Sequence, residues 1–244
     1  MHQHYLDAMS VDSLSPRITR FIHNCYLQSL LDTNRRIYKE NRPDLITRVF
    51  KLKLNTILDE ILRKNIFGVV AGYTYVIEFQ KRGLPYIHIL IILEKTQKIR
   101  TPTDVDNVVS AELPDKSSQP RSFQNELNFN MHGPCDPGRC LSEGVCKRGF
   151  PKQFLDETRS LEDAFPMYKR RQLGTITVNN REITSAFVVP YNPYLTIKYA
   201  TRINVIVSGS IACVTYLYPY FFKGCGQNRR KRVNSQVQRL MEAR

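Results

Sequence analysis

Apolar positions recur at helical intervals from residue 41 onward. In NRPDLITRVFKLKLNTILDEILRKN (41–65), Leu45, Val49, Leu52, Leu54, Ile57, Leu58, Ile61 and Leu62 carry the pattern, Asn41 offers a cap, Pro43 falls near the first turn, and Arg63 and Lys64 close the end. The spacing predicts an amphipathic helix lying over one face of a neighbouring element. Between Tyr73 and Leu93 the period changes to two. The odd positions are apolar in both runs, Tyr73, Tyr75, Ile77 and Phe79 in the first and Ile87, Ile89, Ile91 and Leu93 in the second, so two strands with one shared apolar face are expected. The register expected for them sets Glu78 opposite His88 and Gln80 opposite Tyr86, around a turn at Lys81, Arg82, Gly83, Leu84 and Pro85. Glu78, Gln80, Tyr86 and His88 would then form a polar cluster at the turn end of the other face.

Further along, RTPTDVDNVVSAELP reads as a short helix capped by Thr101 or Thr103, followed by a polar loop, DKSSQPRS. MYKRRQLGTITVNNREITSAFVVPYNP reads as a β-meander with turns at Leu173-Gly174 and Asn179-Asn180, and RINVIV as another short strand. SGSIACVTYLYPYFFKG reads as a final helix with Gly224 as its stop. The first twenty residues show no sustained period, and 225–244 form a basic tail. No internal repeat is present.

Composition narrows the class of partner. The 244 residues are 42% hydrophobic, enough for a sizeable core, and no apolar run approaches the ~18 residues of a membrane span. The first ten residues lack the charged start and apolar centre of a signal peptide, so an intracellular protein without a membrane partner is expected. Thirty-six Lys and Arg against 22 Asp and Glu give a net charge of +14, which points to a polyanion, nucleic acid first. Lys81, Arg82, Lys147, Arg148, Lys152, Lys169, Arg170, Arg171 and Lys223, with tyrosines among them, suit backbone contacts and base stacking along a single strand. Solvated charge is the alternative. The run Arg229 to Arg232 fits either a nuclear import signal or another DNA contact.

Cysteine usage departs from that of a disulfide scaffold. Three of the six cysteines fall within HGPCDPGRCLSEGVC, where His132, Cys135, Cys140 and Cys146 stand at spacings of three, five and six. Three thiolates and an imidazole between Gly and Pro turns match a tetrahedral zinc site that pins an irregular loop. Reduced free thiols are the other reading.

Six stretches in order, RPDLITRVFKLKL, YVIEFQKRGLPYIHILI, HGPC, GFPKQF, VVPYNPYLTIKY and YLYPYFFKG, resemble the rolling-circle replication initiator domain of Helitron transposons, the Helitron helicase-like domain. The resemblance runs from about Phe21 to Gly224. It implies an α+β fold of HUH type, an antiparallel β-sheet flanked by α-helices, with the Cys/His loop (132–146) as an insertion between a loose start (1–20) and the basic tail. It also implies an intracellular, nuclear protein that binds single-stranded DNA and nicks and rejoins it. A divalent metal, Mg²⁺ or Mn²⁺, would be held by His88, Glu78 and Gln80, with Tyr216 and Tyr220 as nucleophiles forming a 5′-phosphotyrosine link. In full-length transposases of this kind a helicase region lies downstream as a partner; this chain has no GxxxxGK[ST] loop, so ATP-driven unwinding is not expected of it.

Three departures bear on activity. Where the family motif reads roughly LPHAHI, this chain has LPYIHI, so Tyr86 replaces the first histidine. A neutral phenol is a poorer ligand than imidazole for a divalent cation. Thr215 and Pro219 stand where lysines usually precede the tyrosines, and the chain has no tryptophan for the NPxWP-like first strand. A catalytically inactive nucleic-acid-binding remnant of the same domain is therefore the alternative function, and a zinc-stabilised interaction module a third.

Overall fold

The computed structural model describes residues 43–79, 85–133, 135, 140–159, 165–178 and 181–208. It is an α+β structure in which the antiparallel pairs, among the described residues, are three two-stranded sheets.

Helix α1 (Pro43–Leu62) forms where the first periodicity predicts it. Its buried stripe is Ile46, Phe50, Leu54, Ile57 and Ile61, at intervals of four, four, three and four. Leu52, counted among the apolar positions above, is instead 67% exposed. It lies half a turn from Leu54 and Phe50, so a helix that buries those two must turn Leu52 to solvent.

The hairpin follows, with β1 (Val70–Phe79) antiparallel to β2 (Pro85–Leu93). Its faces are as expected, but its register is displaced by two residues. Glu78 pairs with Tyr86, Val76 with His88 and Phe79 with Pro85. A two-residue displacement preserves the side-chain faces, because pleating has period two, and hydrophobic patterning alone therefore cannot distinguish the two registers. Ile87, Ile89 and Ile91 are fully buried and meet Phe50, Leu54, Ile57 and Ile61 in the main core. Each contributes about 2 kcal/mol by area.

Helix α2 (Pro102–Val108) starts at a capping box. Thr101 Oγ1 accepts from the Asp104 N–H, and the Asp104 carboxylate accepts from the Thr101 N–H. A second helix, α3 (Pro120–Phe129), occupies the end of the stretch read as a polar loop. Pro120 opens it rather than breaking the chain, because proline at the first helical position sacrifices an N–H that has no helical partner. Helix α4 (Pro193–Tyr199) repeats the device, with Asn192 accepting from the Leu195 N–H ahead of Pro193. The expected meander is reduced to one hairpin, β5 (Ile176–Val178) with β6 (Arg181–Ile183), followed by a 3₁₀ turn at Ser185–Phe187. RINVIV has the alternating burial of a strand, with Ile203, Val205 and Val207 in the core, but it joins no ladder among the described residues.

Three buried polar groups tie these parts together. Glu60 of α1 accepts from Lys198 and Tyr194 of α4, and from Lys64 at 2.9 Å. Asn130, at the end of α3, donates its Nδ2 to Glu126 at 2.6 Å. Its side-chain oxygen accepts from the Ile203 N–H, and its carbonyl from the Val189 N–H. Arg170 lies 3% exposed and donates to the carbonyls of Ala111, Ser185 and Val188.

Candidate metal centre

At the turn end of the first hairpin, Tyr86 donates its hydroxyl to Glu78 Oε2. His88 Nε2 approaches the same oxygen at 3.8 Å, and the two rings meet edge to face with centroids 5.1 Å apart. His88 is 1% exposed. Burial pushes its imidazole below the ordinary value, with the Glu78 charge opposing, which leaves it neutral near pH 7. Gln80, the remaining ligand expected here, lies outside the described residues, as do Lys81 and Arg82.

Among the described residues, the expected cation ligands present here are Glu78 and His88. Mg²⁺ and Mn²⁺ need several oxygen or nitrogen donors at short range. The described hairpin offers one carboxylate and one buried imidazole, and the carboxylate oxygen nearest the imidazole already accepts the phenol's proton. Tyr86 stands in the place of a further donor.

The cysteine loop behaves differently. His132 Nε2 lies 3.2 Å from Cys135 Sγ, 3.6 Å from Cys140 Sγ and 3.3 Å from Cys146 Sγ, and the four ligand atoms all fall within 4.8 Å of one another. A tetrahedral metal with ordinary metal–sulfur and metal–nitrogen bonds sets nitrogen and sulfur about 3.6 Å apart, within a few tenths of an ångström of these values. One ring nitrogen makes a single strong hydrogen bond, so three sulfurs around it are not explained by hydrogen bonding. The cluster is able to hold a metal ion.

Local chemistry explains why the chain closes here. Cys140 and Cys146 flank the hairpin β3 (Leu141–Ser142) and β4 (Val145–Cys146). Its two-residue turn, Glu143 at φ 52° and Gly144 at φ 78°, has the positive angles that match the twist of short strands. The Lys147 N–H donates to the Cys140 carbonyl and the Gly149 N–H to the Cys146 carbonyl, each at 2.7 Å. Gly149, at φ 65°, lets the backbone fold over the sulfur so that the N–H groups of Phe150 and Arg148 point at Cys146. Burial pushes the Cys146 thiol up, but these donors and the adjacent thiols outweigh it and bring it down to about 7. Cys135 moves the other way, to about 12, through burial and the neighbouring sulfurs. His132 is kept neutral by burial and by the charges of Arg148, Arg202 and Lys152. Its ring stacks on Phe150 at 4.1 Å, and the His132 backbone N–H donates to the Phe187 carbonyl.

Of the basic residues singled out, Lys147, Arg148 and Lys152 are exposed around this loop. Lys169 pairs with Asp106 at 3.3 Å and Arg171 with Glu112 at 2.8 Å. Arg170 is turned inward on three carbonyls, an internal strut rather than a surface charge. Tyr216, Tyr220 and Lys223 fall outside the described residues. Sequence reasoning missed Phe150 and Arg202. The Cys-Lys-Arg-Gly run, whose glycine permits the fold-back, was a usable signal for the first; Arg202 had none.

Residues 12–91 match the family model of the Helitron helicase-like domain at N-terminus. No curated protein matches the chain. The match bears out the resemblance to Helitron domains and covers α1, β1 and most of β2, ending before the cysteine loop. It supports a transposon-related DNA-processing role in general terms. No helix among the described residues is long and apolar enough to cross a membrane.

Proposed function

We propose that this chain is a Helitron-type domain of HUH ancestry that binds single-stranded DNA in the nucleus, with Zn²⁺ in the His132, Cys135, Cys140 and Cys146 centre and a hairpin that no longer supports metal-dependent nicking. The observation that carries this reading is the Tyr86 hydroxyl donating to Glu78, where a nickase needs an open carboxylate. Three thiolates and one imidazole are a ligand set that favours zinc over the hard cations, and such a centre supplies folding energy rather than chemistry. The net charge of +14 supplies the attraction for the strand.

A second reading, an active nickase using Tyr216 and Tyr220, draws on the 3.8 Å approach of His88 to Glu78. The two separate in one experiment. Wild-type protein and Y86H are incubated with a single-stranded oligonucleotide and Mn²⁺, binding is followed across a salt series, and covalent adducts are sought by denaturing electrophoresis and peptide mass. Salt-sensitive binding without an adduct in the wild type, and an adduct at Tyr216 or Tyr220 in Y86H, is the expected result. An efficient wild-type adduct would establish the nickase instead. Absence of binding at low salt would remove the DNA reading altogether.

A further inference from the structure

Resting on the DNA-binding reading, we infer that the outer face of the metal loop, Lys147, Arg148 and Lys152, is the main phosphate-contacting surface for a single DNA strand, and that the bound metal holds it in shape. Placement of charge is the first ground. Several of the basic residues described elsewhere on the chain are matched internally: Lys169 by Asp106, Arg171 by Glu112, Lys198 and Lys64 by Glu60, Arg63 by Asp59, and Arg170 by three carbonyls. Among the described residues, no carboxylate pairs with Lys147, Arg148 or Lys152, and residues 144–155 contain no acid.

Rigidity is the second ground. The backbone carrying these three side chains is bonded at nearly every step. The Lys147 N–H reaches the Cys140 carbonyl, the Gly149 N–H reaches the Cys146 carbonyl, and the Lys152 N–H reaches the Ala186 carbonyl at 2.9 Å. Lys152 Nζ donates to the Arg148 carbonyl at 2.9 Å and stands 5.1 Å from the centre of the Phe150 ring. Two of its protons remain for a phosphate. Phe154, 36% exposed, supplies an aromatic face within the same turn of chain, as stacking on a single strand requires. Most of these bonds converge on Cys140 and Cys146, so an emptied centre frees the basic segment and scatters its charges.

The test uses the full chain, zinc-loaded, and a labelled single-stranded DNA oligonucleotide. The charge reversal K147E/R148E should lower affinity at least about 10-fold near 0.1 M salt and reduce the magnitude of the salt slope by about 1.4, two contacts at roughly 0.7 each, while zinc content stays at that of the wild type. K51E/K116E, which removes the same charge from exposed lysines elsewhere, should change the slope little. Equal effects of the two double variants, or no effect of the first, would overturn the proposal. Stripping the metal with a chelator should cost the wild type about as much affinity as K147E/R148E, and add little in that variant. Stripped protein that binds like loaded protein would overturn the metal's part. A wild-type chain that binds no DNA refutes the parent reading instead, so the two failures are distinct.

Discussion

The first hairpin and the cysteine loop both gather polar side chains against a core, yet among the described residues only the loop brings four potential metal ligands together. At the hairpin, a phenol donates to a carboxylate across the strand pair, and a buried imidazole stays neutral beside them. At the loop, three sulfurs crowd one imidazole nitrogen, more than a single hydrogen bond to that nitrogen accounts for. Sulfurs ringed around a single nitrogen make a cluster able to hold a metal ion.

The largest expected effect strikes the loop. Cys146→Ser should abolish stoichiometric zinc and lower the melting temperature by roughly 10 °C or more, because structural zinc contributes several kcal/mol of folding energy. Atomic absorption and calorimetry check this. A variant that melts like the wild type would place the loop on the same footing as the hairpin.

Protons should separate the two regions further, in opposite directions. Glu126, in the helix that leads into His132, is fully buried, and burial raises its carboxyl to about 8 against a donor bond from Asn130. Below the ordinary carboxylate value near 4.5 the group is protonated in both states. From there up to about 8 the unfolded chain ionises and the folded one does not, so stability falls by on the order of 3–5 kcal/mol as pH rises. E126Q should remove that alkaline loss in denaturation curves at pH 5 and pH 8.

Beneath the hairpin, Glu60 behaves in the reverse sense. Donors from Lys198, Tyr194 and Lys64 hold it down to about 2, so its contribution is present above about 4.5 and is lost as pH falls toward 2. E60Q should cost about 3 kcal/mol at neutral pH and flatten the acid limb, because it strands charges arranged around a carboxylate. The smallest effect belongs to Tyr86→Phe. It should change stability by less than about 1 kcal/mol, yet raise the His88 pKa, since Glu78 would then direct its full charge at the imidazole. A proton NMR titration that finds His88 unmoved would show that the phenol does not restrain Glu78.

How much of this could be read from the chain depends on the range of the interaction. The cysteine loop was legible residue by residue, because its four ligands lie within fifteen positions and Gly-Pro turns leave few ways to fold between them. The hairpin faces were legible through their period of two; the register was not, because a displacement of two leaves every face intact. On α1, Ile46 and Phe50 were passed over for Leu52, because apolar residues line more than one side and only the packing against Ile87 and Ile89 selects the stripe. Pro120 and Pro193 concealed two helices by opening them. Arg170 had the composition of a surface charge, and the three carbonyls that claim it lie 15 to 59 positions away, with no local trace.

Asn130 carries a consequence for how the molecule opens. Its amide faces a carboxyl on one side and the Ile203 N–H on the other, while its carbonyl accepts the Val189 N–H. The amide hydrogens of residues 189 and 203 are thus fastened to the end of α3 rather than to their own neighbours in sequence. They should exchange with solvent deuterium together, at the pace of α3 coming away and not of a fraying loop. N130D, which removes the amide donor to Glu126 and places a charge in the buried pocket, should turn that slow, shared exchange into two fast and independent ones.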